Sequence, residues 1–480
     1  MNKLFLPYLL LLLPVFALAQ GESHILYDVD KKTMGIASSF KLNDSVGVMQ
    51  VRLTDTTFEL VALDNKMSVL WRDTSLGYGV ACGKFKDHIL AISDSGYSSK
   101  KGNISPYYAF LIDPATGRII LQRAIFQQKA KHEEQATAFF AADGSDFNLI
   151  VRQANIRVGE LSSYRDKTED FTIINLDKNL DPTFLKPRVP DETFISMAFN
   201  TSGDLFLLTT TDNLSVKARR YEHGSVEPSE PIAQACDSLD NYDILYASNA
   251  IVASQEDRNV LYLSIGHTNH DDDRVISTVK FDFSSRKSYT TNELFTGKHV
   301  REIEKSFTPF SHDFWVANLG SAKRQMRVRY IMEHNGKLIT VSAEFYFAYP
   351  NDFSSTNHTV GVFGEIEYDQ FTLVINCYDT DLKQRFQQVM PVIYKCDREL
   401  ATGFEFSEND VKILSNGGFG PAYGQLDLST GKWLKLELLS NHEISDANAI
   451  WFNDNFVVPF LRERGQSHPK YNIDLGLNNY

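Results

Sequence analysis

The densest group of chemically capable side chains is His267, His270, Asp271, Asp272 and Asp273, in the run SIGHTNHDDDR (264–274). Imidazoles and carboxylates are ligands for Zn²⁺, Mn²⁺ or Ca²⁺, so a divalent cation is the one cofactor this run could hold. The same composition also describes a solvated acidic loop. No second ligand set stands out, and no cofactor is expected overall. Asp177, Asn179 and Asp181 mimic the start of a Ca²⁺ loop, but Pro182 and Arg188 stand where that loop needs Gly and Glu, so the segment reads as a turn.

Two other groups could recognise a partner. The segment 344–369 carries Tyr346, Tyr349, Phe353, His358, Phe363 and Tyr368. Exposed aromatics of this kind stack on sugar rings or anchor a protein, and the alternative is that they pack on their own scaffold. Arg152, Arg157 and Arg165 could take a carboxylate or phosphate, or pair locally with Glu160, Asp166 and Glu169. Motifs for covalent or metalloprotease chemistry are missing. There is no GxSxG and no P-loop, and His132-Glu133 and His442-Glu443 begin like HExxH but reach Ala136 and Asp446. Catalytic residues are therefore not assignable. Scattered carboxylates in a funnel remain open as a route to glycan or peptide cleavage.

The elements that must position these residues are hairpins. Tyr423 to Leu438 alternates apolar and polar residues on either side of Asp-Leu-Ser-Thr-Gly, a period-two pattern around a turn. The pattern recurs at 58–72, 107–126, 170–188, 215–232, 275–295 and 371–390, most often with Asp at the turn. A second hairpin type alternates with it, at 80–93, 137–152, 195–210, 249–264, 328–342, 403–415 and 448–462. One of each makes a four-stranded blade with strands a, b, c and d, and repetition without helical pattern means a β-propeller.

The count predicts seven antiparallel blades over 58–462, closed by an N-terminal c–d hairpin (58–72) beside a C-terminal a–b hairpin (448–462). Six or eight blades remain open if VGVMQVRL (46–53) is also a blade strand or a repeat is misread. Insertions are expected at 296–327 and 344–369, an N-terminal segment at 20–57 and an irregular tail at 463–480. The b–c connections, including 93–106, 152–169, 264–274 and 344–369, are long, whereas turns within the hairpins are short. Long loops on a rigid scaffold are where binding resides, so the face shared by b–c and d–a connections is the expected functional face.

The opening MNKLFLPYLLLLLPVFALAQG reads as a secretory signal peptide, residues 1–19, with cleavage after Ala19. No later run is apolar enough to cross a bilayer as a helix. The net charge of −13 argues against nucleic acid and anionic membrane as partners. Cys82, Cys236, Cys377 and Cys396 form no CxxC, and they read as buried thiols or as a Cys377–Cys396 bridge.

ALDNKMSVLWR (62–72), DPATGRI and DLSTGKW resemble the hairpins of PQQ-type (quinoprotein-like) propeller repeats. That resemblance implies the propeller fold. It does not extend to the quinone cofactor, since the adjacent cysteines of those dehydrogenases have no counterpart here. Residues 330–462 also resemble exported propellers of Bacteroidetes-type bacteria, a group that implies no settled activity. Together these readings lead to the expectation of a non-catalytic binding or scaffold propeller of the bacterial periplasm or exterior, meeting a protein or glycan on the b–c/d–a face. The alternative is a propeller hydrolase or lyase.

Overall fold

The turn aspartates noticed in the sequence have a defined job. At the end of strand c in six blades, one Asp Oδ1 accepts two backbone N–H groups of the c–d turn. Asp64 takes those of Lys66 and Ser68, Asp177 those of Asn179 and Asp181, and Asp379 those of Asp381 and Lys383. Asp113, Asp282 and Asp427 instead take the second and third N–H groups that follow. A short carboxylate bonding its own backbone two residues on is why Asp is favoured at such turns.

The first class places a non-glycine residue in the left-handed region: Met67 (φ 62°), Leu180 (φ 58°) and Leu382 (φ 63°). This is uncommon for such side chains. All three are buried, and each drops into a core shared with the preceding blade. Met67 meets Ile450 and Phe452, Leu180 meets Leu90 and Leu111, and Leu382 meets Val260 and Tyr262. Burial of one such side chain, worth about 1.5–3 kcal/mol, outweighs the backbone cost of roughly 1–2 kcal/mol. In the other class the left-handed residue after Asp282 is Arg286 (φ 58°), and after Asp113 and Asp427 it is Gly117 or Gly431. A Cβ there would lie 2.4 Å from Trp71 and 2.5 Å from Phe386, both of the preceding blade.

The computed structural model describes residues 24–29, 35–95, 104–129, 133–141, 143–159, 163–211, 214–236, 249–268, 274–295, 325–348, 367–396, 402–417, 420–438, 443–444, 448–464 and 470–479. They form eight separate antiparallel sheets, the blades of an all-β propeller. Blade 1 is Ile36–Asn43, Val46–Thr54, Thr57–Asp64 and Val69–Leu76. Blade 2 runs from Tyr78–Phe85 to Ile119–Lys129, blade 3 from Glu133–Phe140 to Pro182–Leu185, and blade 4 from Thr193–Phe199 to Ile232–Ala235. Blade 5 runs from Asn249–Ala253 to Lys287–Phe295, blade 6 from Gln325–His334 to Gln384–Cys396, and blade 7 from Thr402–Phe406 to Trp433–Leu438.

Blade 8 joins the two ends of the chain. Asn455–Arg464 pairs with Lys470–Asn479, which pairs with the N-terminal strand His24–Val29 as the outermost strand. The innermost position is held by Glu443–Ile444 and Ile450–Trp451.

The ring therefore has eight blades and not seven. VGVMQVRL is strand b of blade 1, and it pairs with Ile36–Asn43 on one side and Thr57–Asp64 on the other. The expected closure is also corrected. The hairpin at 448–462 does not complete a sheet with 58–72. Blade 1 has its own a–b hairpin, and 470–479, read as irregular tail, supplies a strand in which Ile473 and Leu475 are fully buried. Ile25, Tyr27 and Val29 alternate inward and join the core of Met49, Val61 and Ile450. Cys82, Cys236 and Cys377 are buried free thiols, so the Cys377–Cys396 bridge does not form. Burial pushes the Cys82 thiol up to about 12, against a smaller opposing effect of its bond with Ser38.

The glycine interlock predicts a contrast between two substitutions. Gly117→Ala and Gly336→Ala both place alanine at positive φ, but only Gly117 has a ring against it, whereas Gly336 has open space. Urea unfolding should show Gly117→Ala less stable than Gly336→Ala by about 1–3 kcal/mol, the cost of overpacking. Equal losses would refute the seating of the turn on Trp71.

Candidate functional site

Strand b is the second strand of each blade and is covered on both sides. Its fifth or sixth residue is nonetheless polar in blades 1 to 7: Gln50, Ser93, Arg152, Thr209, Ser264, Ser342 and Ser415, all buried. These residues form a polar belt around the ring, towards the b–c ends of the strands. Buried polar groups need partners. Gln50 Nε2 donates to Ile92 O of blade 2 at 3.1 Å, and Ser93 Oγ donates to Leu76 O at 3.3 Å. Arg152 Nη2 donates to Gln135 Oε1, and its guanidinium lies 4.1 Å from the centre of the Phe194 ring of blade 4.

The strongest electrostatic unit of the belt is in blade 4. Glu192, on the d–a connection, accepts both arms of the Arg219 guanidinium, at 2.7 and 3.0 Å. Lys217 Nζ adds a bond at 3.1 Å, and the Thr209 hydroxyl donates to Oε2. Burial alone would raise the Glu192 pKa. The hydrogen bonds from Arg219, Thr209 and Lys217 and the Arg219 charge outweigh it and hold the carboxyl at about 2. A carboxylate held ionised in this way is a structural anion, not a proton donor.

His267 lies in strand b of blade 5, Val260–Thr268, opposite Val275, and is buried. Its Nε2 is 2.7 Å from Ser277 Oγ, and Ser277 Oγ donates to Asn292 Oδ1 at 2.7 Å. The hydroxyl has one proton and gives it to Asn292, so His267 donates from Nε2–H. The serine is thus a relay within the blade and is not activated by the histidine. His270, Asp271, Asp272 and Asp273 lie outside the described residues. Tyr346 sits in strand b of blade 6, Lys337–Ala348, opposite Asp369, while Tyr349 and His358 lie outside the described residues. Among the described residues, no three His, Cys, Asp or Glu side chains are grouped to hold a metal.

Much of what reads as long loop is strand. Phe147–Gly159 and Ser163–Leu176 of blade 3 stay paired out to Gly159 and Ser163. Strand a stops following them at Ala154, and strand d pairs only with 173–176, so the two strands rise beyond their blade as a ribbon. In blade 6, Lys337–Ala348 pairs with Glu367–Asp379 out to Ala348 and Glu367, past the last strand-a contact at Phe345. Strand d follows the blade 6 pair out to Tyr368, so three strands lengthen there, and both extensions lie on the b–c/d–a face.

Sequence reading missed Glu192, Arg219 and Thr209. The signal was present: Lys217-Ala218-Arg219-Arg220 puts three cations in a short strand, and a buried strand with cations must have acceptors nearby. The endings LAIS, LLTT, ITVS and KILS, apolar then hydroxyl, also marked the belt. On the opposite face, between blades 3 and 4, a cleft of about 340 Å³ is lined by Asn148, Asn175, Thr183 and His223 among others. It is remote from the candidate face.

Comparison with known proteins adds no function. No family model and no curated protein matches the chain. Solved structures similar to it include Saccharomyces cerevisiae Sqt1 (8% identity, 96% of this chain and 100% of that chain, TM-score 0.47). Others are the Dos1 propeller (10%, 84% and 80%, 0.45) and BamB from Moraxella catarrhalis (10%, 94% and 98%, 0.41). Similarity at this level carries no argument about ligands. The class of the protein, an eight-bladed propeller of four-stranded blades, rests on its own strand pairing.

The Glu192 cluster predicts a pH signature. Its folded pKa is depressed, so its contribution to stability is fully present above the unfolded value of 4.5 and is lost as pH falls from there towards about 2. Glu192→Gln should remove that part of the acid sensitivity. It should also cost about 3 kcal/mol at neutral pH by leaving Arg219 buried without its anion. Urea titrations across this pH range check both, and parallel curves for the two proteins would contradict the assignment.

Proposed function

We propose that this chain is a non-catalytic binding or scaffold propeller that acts in the bacterial periplasm or exterior and engages a protein or glycan through its b–c/d–a face. The observation that carries this reading is the one-sided growth of the blades. On the opposite face the c–d turns of blades 1, 2, 3, 5, 6 and 7 are tight, while that of blade 4 spans 222–231. The b–c hairpin of blade 3 extends past strands a and d, and that of blade 6 extends past strand a. Elements that project from a closed core add no packing to it, and such elements on a rigid scaffold are where recognition is placed.

In this reading His270, Asp271 and Asp273 on the b–c connection of blade 5, with Tyr346, Tyr349 and His358 on that of blade 6, contribute to one patch, because adjacent blades carry adjacent connections. Acidic groups, histidines and aromatics together suit a polar ligand or a cationic protein surface. Export follows from the N-terminal signal pattern. Among the described residues, no helix is long and apolar enough to cross a membrane.

Affinity capture from envelope extract tests the reading. The bait is wild type, a variant with 349–366 replaced by a short Gly/Ser turn, and one with 155–167 shortened to a two-residue turn. Wild type should retain partners that one or both variants lose at unchanged melting temperature. Pre-treatment of the extract with protease or with glycosidases tells a protein partner from a glycan. Identical partners for all three folded baits would move the site off this face, and release of cleaved glycan or peptide by wild type would replace the binder with a hydrolase or lyase.

A further inference from the structure

The junction between blades 3 and 4 is built differently from those that follow blades 1 and 6. Two residues before the turn Asp, each blade has a row of paired residues from strands b, c and d that faces the next blade. In blade 1 the row is Val48, Ala62 and Trp71, and in blade 6 it is Ile339, Cys377 and Phe386. In both, the aromatic lies against the left-handed glycine of the next blade, Gly117 or Gly431. Trp71 Nε1 also donates to Pro114 O at 3.0 Å.

Blade 3 has the same class of turn, with Leu180 seated as Met67 and Leu382 are. Its row, however, is Asn148, Asn175 and Thr183. An aromatic is present at the matching sequence position, since Phe184 follows Asp177 at the interval by which Trp71 follows Asp64 and Phe386 follows Asp379. In blades 1 and 6 the c–d pairing has a bulge beside the row, between Ala62 and Leu63 and between Cys377 and Tyr378. Blade 3 has no such shift. Side chains alternate faces along a strand, so a missing bulge turns the aromatic to the other side. Phe184 pairs with Ile174 and points back to Phe126 of blade 2, 6.1 Å between ring centres. Across the junction, Gly224 of blade 4 keeps positive φ (75°) and has nothing within 4 Å of its Cβ position. The cleft of about 340 Å³ occupies this place.

We propose that this cleft is a binding site for a neutral sugar ring. Its volume is in the range of small-molecule sites. Its floor is apolar, with Ile173 and Leu205 buried and shared with Tyr221. Its wall presents amides and hydroxyls from Asn148, Asn175, Thr183 and Ser225, beside Glu222 and His223. Asn175 Nδ2 donates to Asn148 Oδ1 at 2.9 Å, which fixes both amides and leaves Asn175 Oδ1 and the Thr183 hydroxyl with no protein partner among the described residues. A sugar ring presents a C–H face and a rim of hydroxyls that each donate and accept, which matches a floor and wall of this kind. No Lys or Arg lines the cleft, and its ionisable lining groups are Glu222 and His223. The site is on the face opposite to the proposed partner surface and stands independently of it.

The test is saturation-transfer NMR on the full chain with methyl glucoside, methyl galactoside, methyl mannoside and N-acetylglucosamine as probes. At least one should receive saturation from wild type. Thr183→Phe restores an aromatic to the row and should abolish the transfer while holding or raising the melting temperature. Asn175→Ser, a milder change, should weaken the affinity at least about tenfold. The variants shortened at 155–167 or 349–366 should bind the sugar as wild type does, which separates this site from the opposite face. Absence of transfer to all four probes, or undiminished transfer with folded Thr183→Phe or Asn175→Ser, would overturn the proposal.

Discussion

The fold depends on how each c–d turn seats on the blade before it. A blade alone is a four-stranded sheet with two apolar faces, and it must bury both against neighbours. Twist makes neighbouring sheets diverge towards the rim, and the gap between them has to be filled from somewhere. Here it is filled from the turn. An aspartate locks the backbone so that one residue takes positive φ. In five of the six turns that residue is either a large apolar side chain pushed into the preceding blade or a glycine that receives the preceding blade's aromatic, and in blade 5 it is the exposed Arg286. Met67, Leu180 and Leu382 are cases of the first kind; Gly117 and Gly431 are cases of the second. Local turn chemistry and long-range packing thus reinforce each other, and ring closure follows from repeating one contact.

Polarity is distributed around that contact. The apolar interlocks occupy the a–b/c–d side, while the belt of Gln50, Ser93, Arg152, Thr209, Ser264, Ser342 and Ser415 lies towards the b–c ends. Apolar packing tolerates sliding, but a buried hydrogen bond has one geometry, so the bonds of Gln50 and Ser93 to carbonyls of the neighbouring blade make the register between blades 1 and 2 specific. The blade 4–5 junction shows the same logic with full charges: Asp204, wholly buried, accepts from Arg220 of its own blade and from Arg258 of the next. Burial opposes ionisation of Asp204, yet the His223 backbone N–H, Asn200 and Arg220 hold its pKa below the usual range. Such pairs contribute little net stability against an apolar alternative and much specificity of arrangement.

The two candidate sites are departures from the repeat, which is why they could be recognised at all. On one face, hairpins of blades 3 and 6 continue past the ring. On the other, the row that carries an aromatic in blades 1 and 6 carries two amides and a hydroxyl in blade 3. Neither departure helps to close the ring. A constraint satisfied after blades 1 and 6 and relaxed after blade 3, where the turn is of the same class, marks a place where something other than folding set the residues.

By itself the sequence determined the blade architecture, the aspartate-centred turns and the alternation of hairpin types, because these are local: period two and turn chemistry act within about ten residues. It also contained the closing strands in plain alternation, Ile25-Leu26-Tyr27-Asp28-Val29 and Tyr471-Asn472-Ile473-Asp474-Leu475. Their partners are at the far end of the chain, so nothing local tells a strand there from a frayed terminus. Strand a of blade 1 was hidden for another reason: it lines the inner edge of the ring, and only Ile36 of its eight residues is buried, so its pattern is faint. Tertiary structure alone decided the count of eight and the closure by one N-terminal strand. It also put His267 into a buried relay with Ser277 and Asn292, and, through a single missing bulge, turned Phe184 away and left a polar cleft between blades 3 and 4. A one-residue shift in pairing reverses which face a side chain occupies, and no composition or spacing in the sequence records it.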